Sequence, residues 1–278
     1  MFYVASDLHL EFYSSINSIT DKIDQEIHGT NIEDRVIFLC GDIGNPFHQT
    51  YSDFMKYCSS NFRYVVIIAG NHEYYNIDNT QHTMTETDDQ IEILSYSHSN
   101  VLFLNGGYCI LKEFKIIVLG TTLWSKVLVN QKGINDFTYI VTDESKKTNS
   151  NLTIKEYHQM HLSQLEDLTD NMADISQIRE RDEYSDYQLI VMTHHLPSYS
   201  LIAEQFKGSV SNQFFATDLD HLFETFNAVP TTKIGYWFCG HTHTRMVEEK
   251  CGTKIVVNPY GYPNEYDHAD MSVLYVVE

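Results

Sequence analysis

The fold is decided by the stretch Ile234-Gly235-Tyr236-Trp237-Phe238-Cys239-Gly240-His241-Thr242-His243. Its first six residues are largely apolar and aromatic and predict a buried strand, which Gly240 ends just before two histidines. Histidines at the end of a buried strand can converge on a metal ion, for which imidazole is a common ligand. A single His-x-His pair is more often a surface or capping feature. The pair therefore counts as a candidate site only together with the rest of the chain.

Four other hydrophobic runs also end in residues that bind metals. The runs are residues 2–6, 35–40, 64–69 and 188–192, and the polar clusters that follow them are Asp7-Leu8-His9, Gly41-Asp42, Gly70-Asn71-His72-Glu73 and Thr193-His194-His195. Continuous apolar strands of this length are typical of strands buried on both faces. Helical patterns alternate with them, including an amphipathic helix over residues 152–175 that carries His158 and His161 as surface or core-edge residues. The pattern predicts an α/β layered protein.

The remaining segments complete the predicted order of elements. We expect helices at residues 19–27, 51–60, 80–97 and 218–226, and an exposed loop at 143–151. Residues 101–105, 108–112 and 114–121 are expected to form a meander of three strands, with Gly106-Gly107 as a hairpin turn. A second hairpin over 246–258 turns at Cys251-Gly252, and 272–277 closes a sheet. Because no repeat or linker interrupts the chain, a single domain over residues 1–278 is predicted.

The composition restricts the class of partner. Asp and Glu total 38 against 18 Lys and Arg, so the formal net charge is −20 and the basic surface that long nucleic acids require is missing. A small phosphorylated substrate remains compatible, because bound cations can reverse the field inside a cleft. The five cysteines are odd in number and lack Cys-x-x-Cys spacing, which favours reduced thiols in the cytoplasm. We also expect no leader and no membrane span.

The donor types in the five clusters indicate the kind of metal site. Carboxylate, carboxamide and imidazole groups bind divalent cations of hard or borderline character, and the absence of cysteine from the clusters argues against structural zinc. Two Asp, one Asn and four candidate His are too many ligands for one ion, so two ions are expected. Two ions about 3.5–4 Å apart need a bridging carboxylate. We choose Asp42 for this role.

The order Asp-x-His, Gly-Asp, Gly-Asn-His-Glu, a separate His and Gly-His-x-His resembles the signature of the calcineurin-like metallophosphoesterase superfamily. These motifs span residues 7 to 243. Segments 6–12, 70–75, 122–124, 193–198 and 258–263 also look like a bacterial-type branch of small phosphoesterases. The resemblance implies an α/β fold, a two-sheet β-sandwich flanked by helices, and a metal-dependent phosphoesterase.

Carried over residue by residue, the resemblance also implies the ligand sets. One metal would be held by Asp7, His9, Asp42 and His243, and the other by Asp42, Asn71, His194 and His241. The family pattern favours His194 over the adjacent His195, which would line the cleft. The ions implied are two divalent cations, with manganese favoured and iron or zinc as alternatives.

His72 resembles the catalytic histidine of the family. In the mechanism that the resemblance implies, a metal-bridging hydroxide attacks phosphorus while protonated His72 stabilises or protonates the departing oxygen. Many relatives carry a second Asp three residues after the bridging one, where it keeps this histidine charged, but this chain has Asn45. Because an amide orients imidazole without stabilising its charge, His72 is expected to be protonated less often. Glu73 is expected to secure its own loop by hydrogen bonds.

Several residues in or near the motif loops are candidates for substrate contact, and loop packing is the alternative for the aromatic ones. They are Asn45, Tyr74, Trp124, Asp136, His195, Arg245 and Tyr260. The favoured function is hydrolysis of a phosphodiester, such as a cyclic or other small nucleotide, because no obvious arginine cluster would bind a dianionic monoester. Phosphomonoesterase or pyrophosphatase activity, a nuclease, and a noncatalytic metal-bound scaffold remain alternatives. The sequence does not indicate an oligomeric state.

Overall fold

The computed structural model describes residues 1–77, 81–127 and 133–277. The strands are β1 (Phe2–Ala5), β2 (Val36–Cys40), β3 (Tyr64–Ile68), β4 (Val101–Phe103), β5 (Gly107–Leu111), β6 (Ile116–Thr121), β7 (Gln188–Thr193), β8 (Ile234–Cys239), β9 (Met246–Lys250), β10 (Thr253–Val257) and β11 (Tyr275–Val277). The α-helices are α1 (Asn17–Glu26), α2 (Gln49–Asn61), α3 (Met84–Tyr96), α4 (Asp136–Tyr139), α5 (Asp143–Lys147), α6 (Ile154–Arg179) and α7 (Asp220–Asn227).

The strands form two mixed sheets that pack face to face. The first sheet has the order β11-β1-β2-β3-β4, in which β1 to β4 are parallel and β11 is antiparallel to β1. The second has the order β5-β6-β7-β8-β10-β9, with parallel strands in the middle and antiparallel β5 and β9 at the edges. Side chains such as Phe38, Val66, Val118 and Phe238 fill the layer between the sheets. Burial on both faces explains why the central strands are continuously apolar.

Helices cover the outer faces of both sheets. Ile23 of α1 and Phe54 of α2 belong to the core outside the first sheet, and Met172 of α6 and Phe223 of α7 belong to the core outside the second. The predicted amphipathic helix is confirmed as α6, which begins with a capping box between Thr153 and Glu156. The predicted fold class, a two-sheet β-sandwich flanked by helices, is confirmed.

The predicted meander is wrong, although its strand segments are right. β4 pairs with β3 in the first sheet, whereas β5 pairs with β6 in the second, so Gly106-Gly107 is not a hairpin turn. Gly106 instead carries the chain from one sheet to the other, with a left-handed φ of 79° that glycine adopts without strain. Local periodicity identified the strands but not their partners. The turn between β5 and β6 lies at Lys112–Phe114.

Two other predictions differ from the structure in detail. The segment 143–151 was expected to be a loop, yet it begins with the short helix α5, whose N-terminus is capped by Thr142 and Ser145. Capping by side chains compensates for the polar composition of this segment. The helix predicted from Thr80 begins at Met84 in α3, and Thr80 itself lies outside the described residues. None of the described helices combines the length and hydropathy that crossing a bilayer requires.

Candidate metal centre

The carboxyl ends of five parallel strands bring the predicted metal ligands together. Three groups of donors are each close enough to hold an ion, with their ligand atoms within 4.8 Å of one another: Asp7, His9 and His243; His9, Asp42 and His72; and Asp42, His194 and His241. The amide oxygen of Asn71 lies 3.1 Å from Nε2 of His194 and so joins the third group. All seven predicted ligands therefore meet at one place, and the ligand assignment itself stays a prediction.

The backbone at these positions is unusual. The five ligands Asp7, His9, Asp42, His241 and His243 have φ between 48° and 71°, a left-handed conformation that non-glycine residues adopt only at a cost. Glycines next to them allow close packing. A Cβ at Gly70 would lie 2.2 Å from Oδ1 of Asp42, and one at Gly240 would lie 2.4 Å from Oδ2 of Asp7. The motif glycines are therefore needed to bring the ligand loops into contact.

The first cluster lies between β1 and the loop after β8. Nε2 of His9 is 3.1 Å from Nε2 of His243, which in turn is 3.4 Å from Oδ1 of Asp7. The side chains of Asp7 and His9 are completely buried, whereas that of His243 is 11 % exposed. This cluster therefore opens toward solvent on the side of His243.

The second cluster is centred on His194. Its Nε2 atom lies 3.1 Å from Oδ1 of Asn71, 3.1 Å from Nδ1 of His241 and 3.3 Å from Oδ2 of Asp42. The structure thus places His194, and not His195, among these donors, in agreement with the choice made from the family pattern.

Asp42 joins the two clusters through one oxygen. Its Oδ2 atom is 4.0 Å from Nε2 of His9 in the first cluster and 3.3 Å from Nε2 of His194 in the second. Its Oδ1 atom accepts a hydrogen bond from the backbone N–H of His72 at 2.7 Å. Burial alone would raise the pKa of Asp42, but the neighbouring His194 and His72 hold it well below the usual range. The carboxylate is therefore charged and suited to bridge two cations.

Each predicted histidine ligand has an inner ring nitrogen, which faces the other donors of its cluster, and an outer ring nitrogen, which faces away from them. The hydrogen bonds of the outer nitrogens indicate what fits between the inner ones. Each outer nitrogen lies beside an oxygen: Nδ1 of His9 beside Glu11, Nδ1 of His243 beside Glu265, Nδ1 of His194 beside the carbonyl of Cys40, and Nε2 of His241 beside the carbonyl of Phe214. An oxygen acceptor at this position fixes the tautomer, so that the inner nitrogen of a neutral ring carries a lone pair. In each cluster, two neutral rings with these tautomers would point their nitrogen lone pairs at each other across an N···N distance of 3.1 Å, which is repulsive. A divalent cation between them removes this repulsion, so the donor set fits two cations.

His72 lies beside the first cluster and is held at both ring nitrogens. Nδ1 is 3.0 Å from Oε1 of Glu11, and Nε2 is 3.0 Å from the hydroxyl of Tyr262. Burial by itself lowers the pKa of His72, but the charge of Asp42 and the hydrogen bond to Glu11 raise it above its usual value. The Glu11 carboxyl, although buried, has its pKa lowered to about 2 by His72 and His9.

Asn45 does not hold His72, contrary to the expectation from the family pattern. Its amide nitrogen donates to the carbonyl of Tyr75 at 3.3 Å, and its oxygen accepts from the backbone N–H of Phe47 at 2.9 Å. The carboxylate missing at position 45 is supplied instead by Glu11, from another segment. His72 therefore has a carboxylate partner in Glu11, and the contact with Asn45 on which the expected weakening of its protonation was based is not made.

Glu73 and Asp136 support the ligand loops. The carboxylate of Glu73 accepts backbone N–H bonds from Asp42, Ile43 and Gly70 at 2.7–2.9 Å, which confirms its predicted role in securing the loop. Asp136 accepts from the amide nitrogen of Asn71 at 2.9 Å. This bond turns the amide oxygen of Asn71 toward His194.

A cavity of about 430 Å³ opens beside the metal centre. The polar residues that line it include Asp42, Asn71, His72, His241, His243, Asp136, Tyr262 and Glu265. The lining also contains the apolar side chains Ile134, Ile202, Phe206, Phe214 and Phe215, together with the polar residues Ser209, Ser211 and Asn212. The cavity therefore offers both charged or polar groups and apolar surface to a ligand.

Among the described residues that line this cavity there is one of the seven candidates for substrate contact, Asp136. Asn45, Tyr74, Trp124, His195 and Arg245 are absent from the described residues that line it. Trp124 is 1 % exposed and packs against Tyr74 and His195, so these three residues form core and support the site from behind. Arg245 donates to the carbonyls of Pro259 and Ser272. Tyr260 is buried and stacks on His268, whereas Asp136 does line the cavity.

Sequence reasoning missed the parts played by Glu11, Tyr262 and Glu265. Glu11 and Tyr262 lie inside segments that carry the family resemblance, but nothing in their spacing indicates contact with His72. Glu11 lies in the segment that directly follows β1, whereas Tyr262 meets His72 because the segment after β10 returns to the end of β1, where Tyr260 N–H donates to the carbonyl of Ser6 at 2.9 Å. Such a contact depends on how distant loops pack.

Comparisons with known proteins agree with this geometry. The family model for calcineurin-like phosphoesterase matches residues 1–245. An uncharacterised protein of Acanthamoeba polyphaga mimivirus is 27 % identical over 94 % of this chain and 90 % of its own length. The phosphopantetheinyl hydrolase of Mycobacterium tuberculosis has the same fold, with a TM-score of 0.66, 15 % identity, and coverage of 99 % of this chain and 95 % of its own. TT1561 of Thermus thermophilus is similar over 92 % of this chain and 87 % of its own, with a TM-score of 0.52 and 11 % identity.

Proposed function

The chain belongs to the calcineurin-like phosphoesterase family, and we propose that it hydrolyses a small, nucleotide-like phosphodiester with two divalent metal ions. The family and the fold indicate a metal-dependent phosphoesterase. The observation that carries the proposal is the position of Asp42, whose Oδ2 faces Nε2 of His9 on one side and Nε2 of His194 on the other. One carboxylate oxygen shared by two donor clusters is what a paired metal centre requires.

The residues present fit the two ions. Asp7, His9, Asp42 and His243 would hold one ion, and Asp42, Asn71, His194 and His241 would hold the other. Manganese is the proposed metal, because mixed carboxylate and imidazole ligands suit it, and iron and zinc are the alternatives. When bound, such ions neutralise phosphate charge and make water nucleophilic at neutral pH. His72 lies beside the first cluster, where it can stabilise or protonate the departing oxygen.

The residues that line the cavity favour a diester substrate over a monoester. The described residues that line it include Asp136 and Glu265 but no Lys or Arg. A dianionic monoester is usually gripped by bidentate arginine, whereas a diester carries a single negative charge and needs less compensation. Aromatic side chains in the lining, such as Phe206 and Phe215, offer contacts for the second organic group of a diester, such as a nucleobase. The net charge of −20 disfavours long nucleic acids.

Hydrolysis of bis(4-nitrophenyl) phosphate, compared with that of 4-nitrophenyl phosphate, tests the proposal. We expect the manganese-loaded protein to prefer the diester, and we expect chelation to abolish the activity. Asp42→Asn should reduce both bound manganese and turnover. A clear preference for the monoester would favour a phosphomonoesterase or pyrophosphatase instead. Product release from single-stranded DNA or RNA would favour a nuclease, and no hydrolysis of any ester by the loaded protein would favour a noncatalytic scaffold. A panel of cyclic and linear nucleotides would then narrow the substrate.

A further inference from the structure

The hydroxyl of Tyr262 contacts His72 at the edge of the cavity, which both residues line. It is 3.0 Å from Nε2 of His72, whose other ring nitrogen is 3.0 Å from Glu11. Both nitrogens of His72 therefore already have side-chain partners. A leaving group that approaches Nε2 of His72 from the cavity would therefore meet the Tyr262 hydroxyl, which already takes the hydrogen-bonding position of that nitrogen.

Tyr262 faces the place where the reaction would occur. It lines the cavity together with His72 and His243. The centroid of its ring is 4.3 Å from that of His9 and 4.7 Å from that of His243, two predicted ligands of the first cluster. The hydroxyl therefore lies near the metal centre and is held there by packing on two imidazoles.

The backbone around Tyr262 holds it in this position. The N–H of Gly261 donates to the carbonyl of Asp7 at 2.9 Å, and the N–H of Tyr262 donates to Glu265 at 3.2 Å. Gly261 has a φ of 84°, and a Cβ there would lie 3.0 Å from Oε2 of Glu265 and from the ring of Tyr266. Only glycine fits this turn without strain. The turn attaches Tyr262 directly to the end of β1.

We infer that Tyr262 is a catalytic residue whose hydroxyl donates a proton to the departing oxygen and receives a proton from His72. This inference rests on the proposed phosphodiester hydrolysis. With protons on both nitrogens of His72, Nε2 donates to the tyrosine oxygen, which leaves the hydroxyl hydrogen free to point into the cavity. Glu11 holds the opposite side of the ring.

The step balances as a hydrolysis. Water forms the new bond to phosphorus, and the bond between phosphorus and the leaving oxygen breaks, with its electron pair going to that oxygen. The leaving oxygen takes the proton of the Tyr262 hydroxyl, which takes the proton from Nε2 of His72. The proton released by water restores His72 through solvent. No oxidant or further reactant is needed.

The variant Tyr262→Phe separates this role from a packing role. Phenylalanine keeps the ring against His9 and His243 and removes only the hydroxyl. Tyr57→Phe is the matched control, because its hydroxyl is bonded to Asp24 on the helical surface, away from the site. Bis(4-nitrophenyl) phosphate and diphenyl phosphate are suitable substrates, since they differ mainly in how much their leaving groups need a proton.

We expect Tyr262→Phe to bind manganese as the wild type does. Its kcat should fall about 100-fold on diphenyl phosphate and less than about threefold on bis(4-nitrophenyl) phosphate. In the metal-free protein, the ¹⁵N resonance of Nε2 in His72 should shift when the hydroxyl is removed. Tyr57→Phe should change none of these quantities.

Two outcomes would overturn the inference. Equal losses on the two diesters, or no loss on either, would show that the hydroxyl gives the leaving group no proton. An unchanged ¹⁵N resonance would show that the hydrogen bond to His72 is absent in solution. If the wild type hydrolysed neither diester, the proposed function would fail, whereas the ¹⁵N measurement would still decide on the hydrogen bond.

Discussion

Glu11 and His72 form a buried hydrogen bond of 3.0 Å between Oε1 of the carboxylate and Nδ1 of the imidazole. The same oxygen lies 3.1 Å from Nδ1 of His9, so a single carboxylate fixes a predicted metal ligand and the predicted catalytic histidine. The side chain of Glu11 is only 3 % exposed, so water competes little for these bonds. Glu11 is thus the carboxylate that contacts His72 in this chain, whereas Asn45 makes other hydrogen bonds.

Replacing Glu11 with glutamine should slow turnover. Glutamine keeps an acceptor oxygen but loses the charge. Because a hydrogen bond to a charged group is stronger than one between neutral groups, kcat should fall about ten- to a hundredfold. Manganese affinity should fall less, since His9 keeps its place in the cluster. Steady-state kinetics and metal titration check both quantities. Glu249→Gln, which removes the same charge on the exposed edge strand β9, is the control, and wild-type turnover in Glu11→Gln would contradict the role.

Removal of the His72 side chain should separate catalysis from metal binding. His72→Ala leaves the seven predicted ligands in place, so metal content should stay near that of the wild type. Loss of the imidazole, which stabilises or protonates the departing oxygen directly or through Tyr262, should reduce kcat about 100- to 10,000-fold. Elemental analysis and kinetics on the same preparation test this. Equal turnover would remove His72 from the mechanism.

Restoring the family carboxylate at position 45 should not help this chain. The amide nitrogen of Asn45 donates to the carbonyl of Tyr75, and in Asn45→Asp a carboxylate oxygen would face that carbonyl. The lost bond and the repulsion should lower the free energy of unfolding by about 1–3 kcal/mol, without raising turnover. Urea denaturation measures the first effect. A more active and equally stable variant would show that the introduced carboxylate takes over the contact that Glu11 makes.

The stability of the metal-free protein should depend on Asp88 between pH 4 and 7. Burial raises the pKa of Asp88 to about 6, despite hydrogen bonds from Tyr74 and Asn105. Because the folded state then binds the proton more tightly than the unfolded chain, with its pKa of about 3.9, stability is lost as pH rises through this window. As the pH rises from 4 to 7, the free energy of unfolding of the wild type should fall by about 2 kcal/mol relative to that of Asp88→Asn. This figure is smaller than the full pKa difference implies, because solvent partly reaches the carboxyl group. A pH-independent difference between the two proteins would contradict the assignment.

The order of strands along the chain and the donors at their ends could be predicted from the sequence. Buried strands such as β2 and β3 are continuous apolar runs, and the polar residues that end them, Asp42 and Asn71, stand at the same edge because parallel strands share a direction. Periodicity alone could not assign β4 and β5 to different sheets. Strand pairing is a long-range choice that short segments do not encode.

The sequence by itself therefore determined the fold class and the set of donors that meet at the strand ends. Only the tertiary structure decided which groups surround that set. Glu11, and not Asn45, contacts Nδ1 of His72, and the Tyr262 hydroxyl contacts its Nε2, whereas Trp124 lies in the core and not in the cavity. Donor residues can be recognised from local spacing, because each follows its own strand. Their partners come from loops that are distant in the chain, and packing between those loops sets which side chains touch.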